Sequence, residues 1–245
     1  MLHADYHSVY DANFFNRSDG KPCWDKGCLK VGDDLAAIAY ALGIPSFERV
    51  LDLLEIPATS DGRDPDCCRM DAKVQLLSLL HGNDATRKPK SVLDVGGGRG
   101  EVSAAFAWLG IKVQEVEPHK DAKQWCHDTS SRLFSLLTSD GFHTLINTPV
   151  PECLPEIDFE DLDTVIFCES LEHIPEDCFT PFWDKVGAVL RANHGMLVVT
   201  NWLDYHPLHV SGPEHCRLVD DALYAELAQG GTVTYRRGSH LVVTY

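Results

Sequence analysis

Five short apolar runs, separated by stretches of helical periodicity, constrain the fold of this chain more than any other feature. Strand, helix and strand at this spacing predict βαβ units, a mostly parallel sheet and right-handed crossovers that place helices on both faces. The predicted strands are Ser91–Val95, Lys112–Val116, His143–Ile146, Thr164–Cys168 and Met196–Thr200. The predicted helices among and after them are Glu101–Leu109, Lys120–Leu137, Pro181–Ala192 and Asp220–Ala228.

The two ends of the chain have different patterns. The C-terminal stretch "GGTVTYRRGSHLVVTY" predicts a hairpin in which "RRGS" joins Thr232–Tyr235 to His240–Tyr245, so we expect the sheet to end in an antiparallel pair. Residues 1–88 contain turn-rich segments and three helical stretches, at Asp33–Leu42, Ser46–Leu54 and Asp71–His81. We therefore expect a helical N-terminal extension over residues 1–88, acting as a lid, and an α/β domain over residues 89–245.

The segment "VLDVGGGRGE" places four glycines between the first strand and the first helix, at Gly96, Gly97, Gly98 and Gly100. Glycines there let the backbone turn tightly and approach a ligand closely. A dinucleotide fingerprint requires glycine where this chain has Glu101, and the Gly-Lys-Ser/Thr ending of a P-loop is missing. Because Asp94 precedes the loop and Glu101 follows it, the loop fits a ligand that carries positive charge and no phosphate.

The second strand supplies a matching group. Its sequence continues as "EVEP", which puts Glu117 at the C-terminal end of the strand. An acidic side chain at that place can accept two hydrogen bonds from a ribose diol. The sequence therefore predicts a site for a nucleoside.

These motifs resemble those of class I S-adenosylmethionine-dependent methyltransferases. The likeness rests on Asp94-x-Gly-x-Gly-x-Gly, on Glu117-Pro118, on "LDTVIFCESLEHI" and on "VLRANHGMLVVT", and it covers roughly residues 89–245. It implies a Rossmann-like, seven-stranded sheet, mostly parallel, with an antiparallel C-terminal hairpin. It also implies an enzyme that transfers a methyl group from S-adenosylmethionine.

In that family the glycine loop seats the methionine part of the cofactor, the second-strand acid holds the ribose, and the end of the fourth strand faces the reacting methyl. The resemblance therefore implies nine cofactor-binding residues, namely Asp94, Gly96, Gly97, Gly98, Gly100, Glu117, Pro118, Cys168 and Glu169. The family also has a polar residue after the third strand that contacts adenine, and Asn147 is the candidate here.

The stretch "FCESLEHIP" contains the candidates for chemistry. Methyl transfer from a sulfonium mainly requires alignment, since the leaving group is already activated. An amine acceptor has only to be neutral, whereas a hydroxyl benefits from a base or a metal that lowers its pKa. Glu172 and His173 are the predicted catalytic residues.

A metal site is the alternative interpretation of the same stretch. Residues at i, i+3 and i+4 share a helical face, so Glu169, Glu172 and His173 could converge on Mg²⁺ or Mn²⁺. A fourth ligand would come from His215, or from His206 or His209. This set resembles that of small-RNA 3′-terminal 2′-O-methyltransferases. Metal-free small-molecule methyltransferases have the same short pattern, and we expect no divalent metal here.

The net charge decides between the substrate classes. The chain carries 21 Lys and Arg against 37 Asp and Glu, a formal charge of −16, which repels a phosphate backbone. We therefore expect a small-molecule O or N nucleophile as substrate, and not a nucleic acid. A noncatalytic scaffold or activator that keeps the cofactor fold is the competing class of function, and the intact cofactor motifs argue against it.

The cysteines and the N-terminal sequence predict the cellular compartment. Nine scattered cysteines indicate reduced thiols, and there is no apolar run long enough for a membrane span and no secretory pattern at "MLHADYHSVY". We expect a cytoplasmic protein without membrane partners. The spacing of Cys23, Cys28, Cys67 and Cys68 fits a tetrahedral zinc site poorly. The sequence carries no indication of oligomeric state.

Overall fold

A seven-stranded sheet organises the chain. The computed structural model describes residues 89–98, 100, 103, 106–107, 111–123, 141–168, 170–200, 216–217, 219–237 and 240–245. The strand order across the sheet is β3-β2-β1-β4-β5-β7-β6. The strands are β1 (Ser91–Val95), β2 (Lys112–Val116), β3 (His143–Ile146), β4 (Thr164–Cys168), β5 (Met196–Thr200), β6 (Thr232–Arg237) and β7 (His240–Thr244).

The predicted fold class is confirmed. Strands β1 to β5 are parallel to one another, and β7 pairs antiparallel with both β5 and β6. The bounds of the first five strands are those that the apolar runs predict. The hairpin differs in two respects, because β6 continues to Arg237 and so includes part of the predicted turn, with a register shift between Val233 and Tyr235, and because β7 ends at Thr244, one residue before the predicted end.

Two α-helices have bounds within the described residues, α1 (Glu176–Ala192) and α2 (Asp221–Leu227). Helix α2 begins where predicted, with the Asp220 side chain accepting a hydrogen bond from the backbone N–H of Leu223 at 2.9 Å. The predicted start of α1 at Pro181 is wrong. Proline is favoured in a first helical turn, yet here it lies inside the helix, and the buried residues Cys178 and Phe179 lie before it.

Other predicted helices lie largely or wholly outside the described residues. Ser103, Phe106 and Ala107 are helical, as is the pair Ala122 and Lys123, within the predicted helices Glu101–Leu109 and Lys120–Leu137. The extension over residues 1–88 lies outside as well, so its helices and its role as a lid stay predictions. In the part of the chain that is described, no helix has the length and apolarity to cross a membrane.

The core lies between one face of the sheet and the two α-helices. Phe167 of β4 makes edge contacts with Phe179 and Phe182 of α1, with ring centroids 5.9 and 6.4 Å apart. Leu227 of α2 is fully buried in the same cluster. Alternate strand residues on the opposite face are fully buried too, including Val92, Val113, Ile166, Val198 and Val242. Burial on both faces explains why the central strands β1, β4 and β5 have nearly continuous apolar sequences.

The bend before β5 yields a test of this packing. A β-carbon at Gly195 would lie 2.6 Å from the carbonyl oxygen of Asp163. That backbone is held in place, since the Asp163 carboxylate accepts from the N–H of Lys90 at 3.0 Å. We expect Gly195→Ala to lower the free energy of unfolding by about 1–3 kcal/mol, the usual cost of overpacking. Urea denaturation measures this, and an unchanged midpoint would contradict the packing described.

Candidate functional site

The glycine loop is tied to the carboxyl end of β2. The N–H of Gly96 donates to the carbonyl of Val116 at 2.7 Å, and the N–H of Gly100 donates to the carbonyl of Gly97 at 2.9 Å. Gly96, Gly98 and Gly100 have φ angles of 76°, 60° and 73°, in the left-handed region that favours glycine. The loop therefore sits where the carboxyl ends of β1 and β2 meet.

The reason for glycine differs among three positions of the loop. A β-carbon at Gly96 would lie 2.4 Å from the β-carbon of Ser170, and one at Gly97 would lie 2.4 Å from Cγ of Glu115. A β-carbon at Gly98 would have no atom of the described residues within 4 Å. Gly96 and Gly97 thus allow close packing below the loop, whereas Gly98 borders open space, as a ligand cradle requires.

Glu117 faces that loop. One carboxylate oxygen accepts from the N–H of Gly98 at 2.9 Å and the other from the N–H of His119 at 3.0 Å. A carboxylate oxygen can accept a second hydrogen bond, so both oxygens keep capacity for a ribose diol. Pro118 follows and is half-buried. The arrangement fits the ribose-holding role that the resemblance implies for Glu117.

Asn147, the candidate for adenine contact, supports this turn. Its amide nitrogen donates to the carbonyls of Glu117 and His119, at 2.6 and 2.7 Å. That gives Asn147 a structural role between the ends of β2 and β3. An adenine contact through it stays a prediction.

Asp94, Glu115 and Glu117 form a buried acid cluster, all three being at most 4% exposed. Asp94 accepts from the hydroxyl of Ser103 at 2.7 Å, and its other oxygen has no hydrogen-bond partner within the described residues. Burial, with the charge of Glu115 adding to it, raises the pKa of Asp94 to about 7. Burial also raises the pKa of Glu117 to about 7, although the N–H groups of His119 and Gly98 oppose the shift.

The end of β4 packs directly on the glycine loop. The hydroxyl of Ser170 donates to the carbonyl of Val95 at 2.5 Å, next to the contact between Ser170 and Gly96. Cys168 is the last residue of β4 and pairs with Thr200, and Glu169 lies outside the described residues. The cofactor roles predicted for Cys168 and Glu169 stay predictions.

The two predicted catalytic residues lie on a short 3-10 turn, Leu171–His173. Glu172 and His173 are 3% and 4% exposed, and a carboxylate oxygen of Glu172 lies 3.9 Å from Nε2 of His173. The backbone carbonyl of Glu172 accepts from the N–H groups of Cys216 and Arg217, at 2.8 and 3.2 Å. These two hydrogen bonds tie the turn that follows β4 to the backbone of residues 216 and 217.

The proposed metal ligands are only partly described. In the described ranges, no three His, Cys, Asp or Glu side chains are grouped so that they could hold a metal ion. Two members of the alternative set, Glu169 and His215, lie outside those ranges, as do His206 and His209. Of that set the structure brings together Glu172 and His173.

Several site residues were missed by the sequence reasoning. Ser170 was missed because its contact with Gly96 depends on which strands are neighbours. Glu115 had a signal, since it is a charged residue inside an apolar strand, and Nε2 of His143 lies 2.7 Å from its carboxylate. Arg217 packs its guanidinium over the ring of Phe179, 4.3 Å from the centroid, and burial lowers its pKa.

The raised pKa of Asp94 has a consequence for stability. A carboxyl group whose pKa is higher in the folded state stabilises the fold in full below its unfolded pKa, and this contribution is lost as the pH rises towards the folded pKa. We expect the stability of the wild type, relative to the neutral variant Asp94→Asn, to fall between pH 3.8 and about pH 7. The change is at most about 4 kcal/mol, from the size of the shift. Thermal melting of both proteins across this range measures it, and a rise with pH would contradict the assignment.

Comparisons with known proteins give only distant structural similarities. No family model matches the chain, and no curated protein matches it in sequence. Among solved structures, a SAM dependent methyltransferase from Archaeoglobus fulgidus is 15% identical with a TM-score of 0.47, covering 67% of this chain and 69% of that one. The ribosomal protein L11 methylase from Lactobacillus delbrueckii subsp. bulgaricus is 16% identical with a TM-score of 0.42, over 69% and 75% of the two chains.

A third similar structure is the bifunctional kinase-methyltransferase WbdD, which is 17% identical with a TM-score of 0.44 and covers 74% of this chain. This chain spans 40% of the length of WbdD. All three solved structures carry a methyltransferase or methylase description. Because the identities and TM-scores are low, the function of this chain has to follow from its own site residues.

Proposed function

We propose that this protein binds S-adenosylmethionine and transfers its methyl group to an oxygen or nitrogen of a small molecule. The observation that carries the proposal is the hydrogen bond of 2.9 Å between Glu117 and the N–H of Gly98. It joins the predicted ribose acceptor to the glycine that borders open space. A nucleoside with a positive charge and no phosphate fits this combination of an acidic cluster and a glycine loop.

The residues that would hold the cofactor come from two neighbouring strand ends. The glycine loop would seat the methionine part, and Glu117 would accept from the ribose hydroxyls. Asp94 lies beneath the loop with its carboxyl group fully buried, so it acts on a bound cation through its charge. S-adenosylmethionine, when bound, supplies a methyl group that its sulfonium sulfur already activates.

The 3-10 turn after β4 supplies the groups for the acceptor. Glu172 is nearly excluded from water at 3% exposure, and a buried carboxylate is suited to take a proton from a hydroxyl acceptor. Nε2 of His173 lies 3.9 Å from this carboxylate, so both side chains can contact the same acceptor. An amine acceptor that is already neutral would need only alignment by the same turn. The contact of Ser170 with Gly96 places this turn against the cofactor loop.

The formal charge of −16 supports a small-molecule substrate over a nucleic acid, because an acidic protein repels a phosphate backbone at long range. A noncatalytic scaffold would bind the cofactor at the same glycine loop but would not use the 3-10 turn Leu171–His173, the acceptor turn, to bind an acceptor.

The cofactor site is tested with a matched pair of glycine variants. An arginine at Gly98 would occupy the open space beside the loop, so we expect Gly98→Arg to weaken S-adenosylmethionine binding at least about tenfold, measured by calorimetry. Gly141→Arg is the control, because Gly141 has φ of 73° and equally open surroundings but precedes β3 at the opposite end of the sheet. We expect this variant to bind normally. Normal binding by Gly98→Arg would refute the placement of the site, and binding by the wild type without methyl transfer to any extract would favour the scaffold.

Metal dependence distinguishes the small-molecule reaction from methylation of an RNA 3′ end. We expect activity to persist in a chelator, since the sulfonium already activates the methyl group. The assay is transfer of labelled methyl with and without chelator, in the wild type, in Glu172→Ala and in the exposed control Glu160→Ala. Activity that chelation removes, that Mn²⁺ or Mg²⁺ restores, and that Glu172→Ala abolishes would instead support the RNA-terminal reaction.

A further inference from the structure

Glu115 occupies an unusual place beneath the glycine loop. It lies on β2, the second strand from one edge of the sheet, is 0% exposed, and is the register partner of Asp94 on β1. Its Cγ comes within 2.4 Å of the position that a β-carbon at Gly97 would take. The floor under Gly97 is thus a carboxylate side chain, where an apolar one would cost far less to bury.

His143 on β3 is the partner of this carboxylate. Its Nε2 lies 2.7 Å from the Glu115 carboxylate, and both side chains are nearly inaccessible at 3% and 0% exposure. The pair links two adjacent strands, β2 and β3. A buried hydrogen-bonded pair of this kind fixes side-chain positions, even where it adds little net stability.

The charges around Glu115 do not balance among the described residues. Asp94 faces it from β1, Glu117 follows it after β2, and His143 faces it from β3. His119, also buried, has its Nδ1 occupied by accepting from the N–H of Asp121 at 3.1 Å. Three carboxyl groups therefore share a space in which His143 is the partner of one. Such a cluster holds a proton unless a cation arrives to replace it.

We infer that Glu115 and His143 are positioning residues of the cofactor site, which hold Gly97 in place and make the binding of a cationic cofactor release a proton. The inference rests on the proposed function, since it takes the cation to be the ammonium and sulfonium groups of S-adenosylmethionine. The released proton leaves the carboxyl group of Asp94 or Glu117 and passes to the solvent. Glu115 acts through its negative charge on these two acids and through its contact with the loop.

The pKa values agree with this picture, because the charge of Glu115 is among the causes that raise the pKa of both Asp94 and Glu117 to about 7. The charge of His143 acts in the opposite direction on Asp94. As the pH rises through this value, the free protein loses the proton by itself and a cation no longer has to displace it. Affinity for a cation should therefore rise with pH and level off above about pH 7.

Calorimetry on the wild-type protein gives the first test. S-adenosylhomocysteine, S-adenosylmethionine and 5′-methylthioadenosine differ in charge but share the nucleoside, so they serve as probes. We expect affinity for the first two to rise by up to about tenfold per pH unit between about pH 5 and pH 7, and the uncharged nucleoside to show little change. Titration in two buffers of different ionisation enthalpy should show net proton release for the charged probes. Absence of that release would overturn the inference.

Two variants separate a charge effect from mere packing. Glu115→Gln removes the negative charge at nearly constant shape, so the pH midpoint of S-adenosylhomocysteine binding should move down. His143→Gln keeps a donor for Glu115 but removes the cation, so the midpoint should move up. Glu160→Gln, an exposed site with the same change in charge, should leave the midpoint where it is. A purely structural pair would weaken binding at every pH without opposite shifts, and that result would overturn the inference.

The failure of each proposal has a different signature. If the wild type binds none of the three probes at any pH, the proposed cofactor is wrong. If it binds them and the midpoint is unmoved in both variants, the cofactor stands and the role of Glu115 is wrong. Should one variant fail to fold in thermal melts, the other variant and the wild-type proton count still decide.

Discussion

The close contact between Ser170 and Gly96 is the interaction on which the arrangement of the site depends. The Ser170 hydroxyl binds the carbonyl at the end of β1, and its β-carbon fills the space that any side chain at position 96 would need. The turn after β4 can approach β1 this closely because residue 96 is glycine, with φ of 76°. One missing β-carbon thus brings the acceptor turn, with Glu172 and His173, against the cofactor loop.

Burial of ionisable groups is the second constraint, and it works against stability. Asp94, Glu115, Glu117 and His143 all lie in the sheet layer or at its edge with at most 7% exposure. A core of this kind could be built from apolar residues at lower cost, as the strands elsewhere in the same sheet are. The free-energy cost of burying the acids is concentrated at the carboxyl ends of β1 and β2, which form the usual ligand crevice of an open α/β sheet. We therefore infer that these acids are functional.

Local sequence was enough to predict the strands but not the contacts between them. The first five strands have the predicted bounds, and for β1, β4 and β5 the reason is that burial on both faces favours apolar runs, which are visible in the sequence. The start of α1 was predicted too late because a proline usually marks a first turn, whereas here Phe179, buried against Phe167, extends the helix before Pro181. The hairpin turn was placed too early for a similar reason, since pairing with β7 keeps Arg236 and Arg237 in the strand.

The residues of the candidate site also fall into two groups, those with a local sequence signal and those without one. The glycine loop, Asp94 and Glu117 could be found from one segment and the spacing of the next, because each is a local motif. The contact of Glu115 with His143 required the register between β2 and β3, and that of Ser170 with Gly96 required β4 to neighbour β1. Neither is visible without the strand order. Residues whose roles depend on register are therefore those that sequence reasoning missed.

The buried acids also have to satisfy two opposed demands. In the proposed reaction a strong negative field would attract a cationic cofactor, but it would also stabilise the charge that methyl transfer removes, and binding that favours the ground state slows a reaction. Acids that are half-protonated near neutrality moderate this conflict. The cation has to displace a proton before their full negative charge acts on it, so the net free energy gained on binding is smaller. The pKa values of about 7 at Asp94 and Glu117 lie where such a response is largest. Glu115 lies between these two acids. We therefore interpret it as the residue that sets their protonation balance, and not as an uncompensated charge in the core.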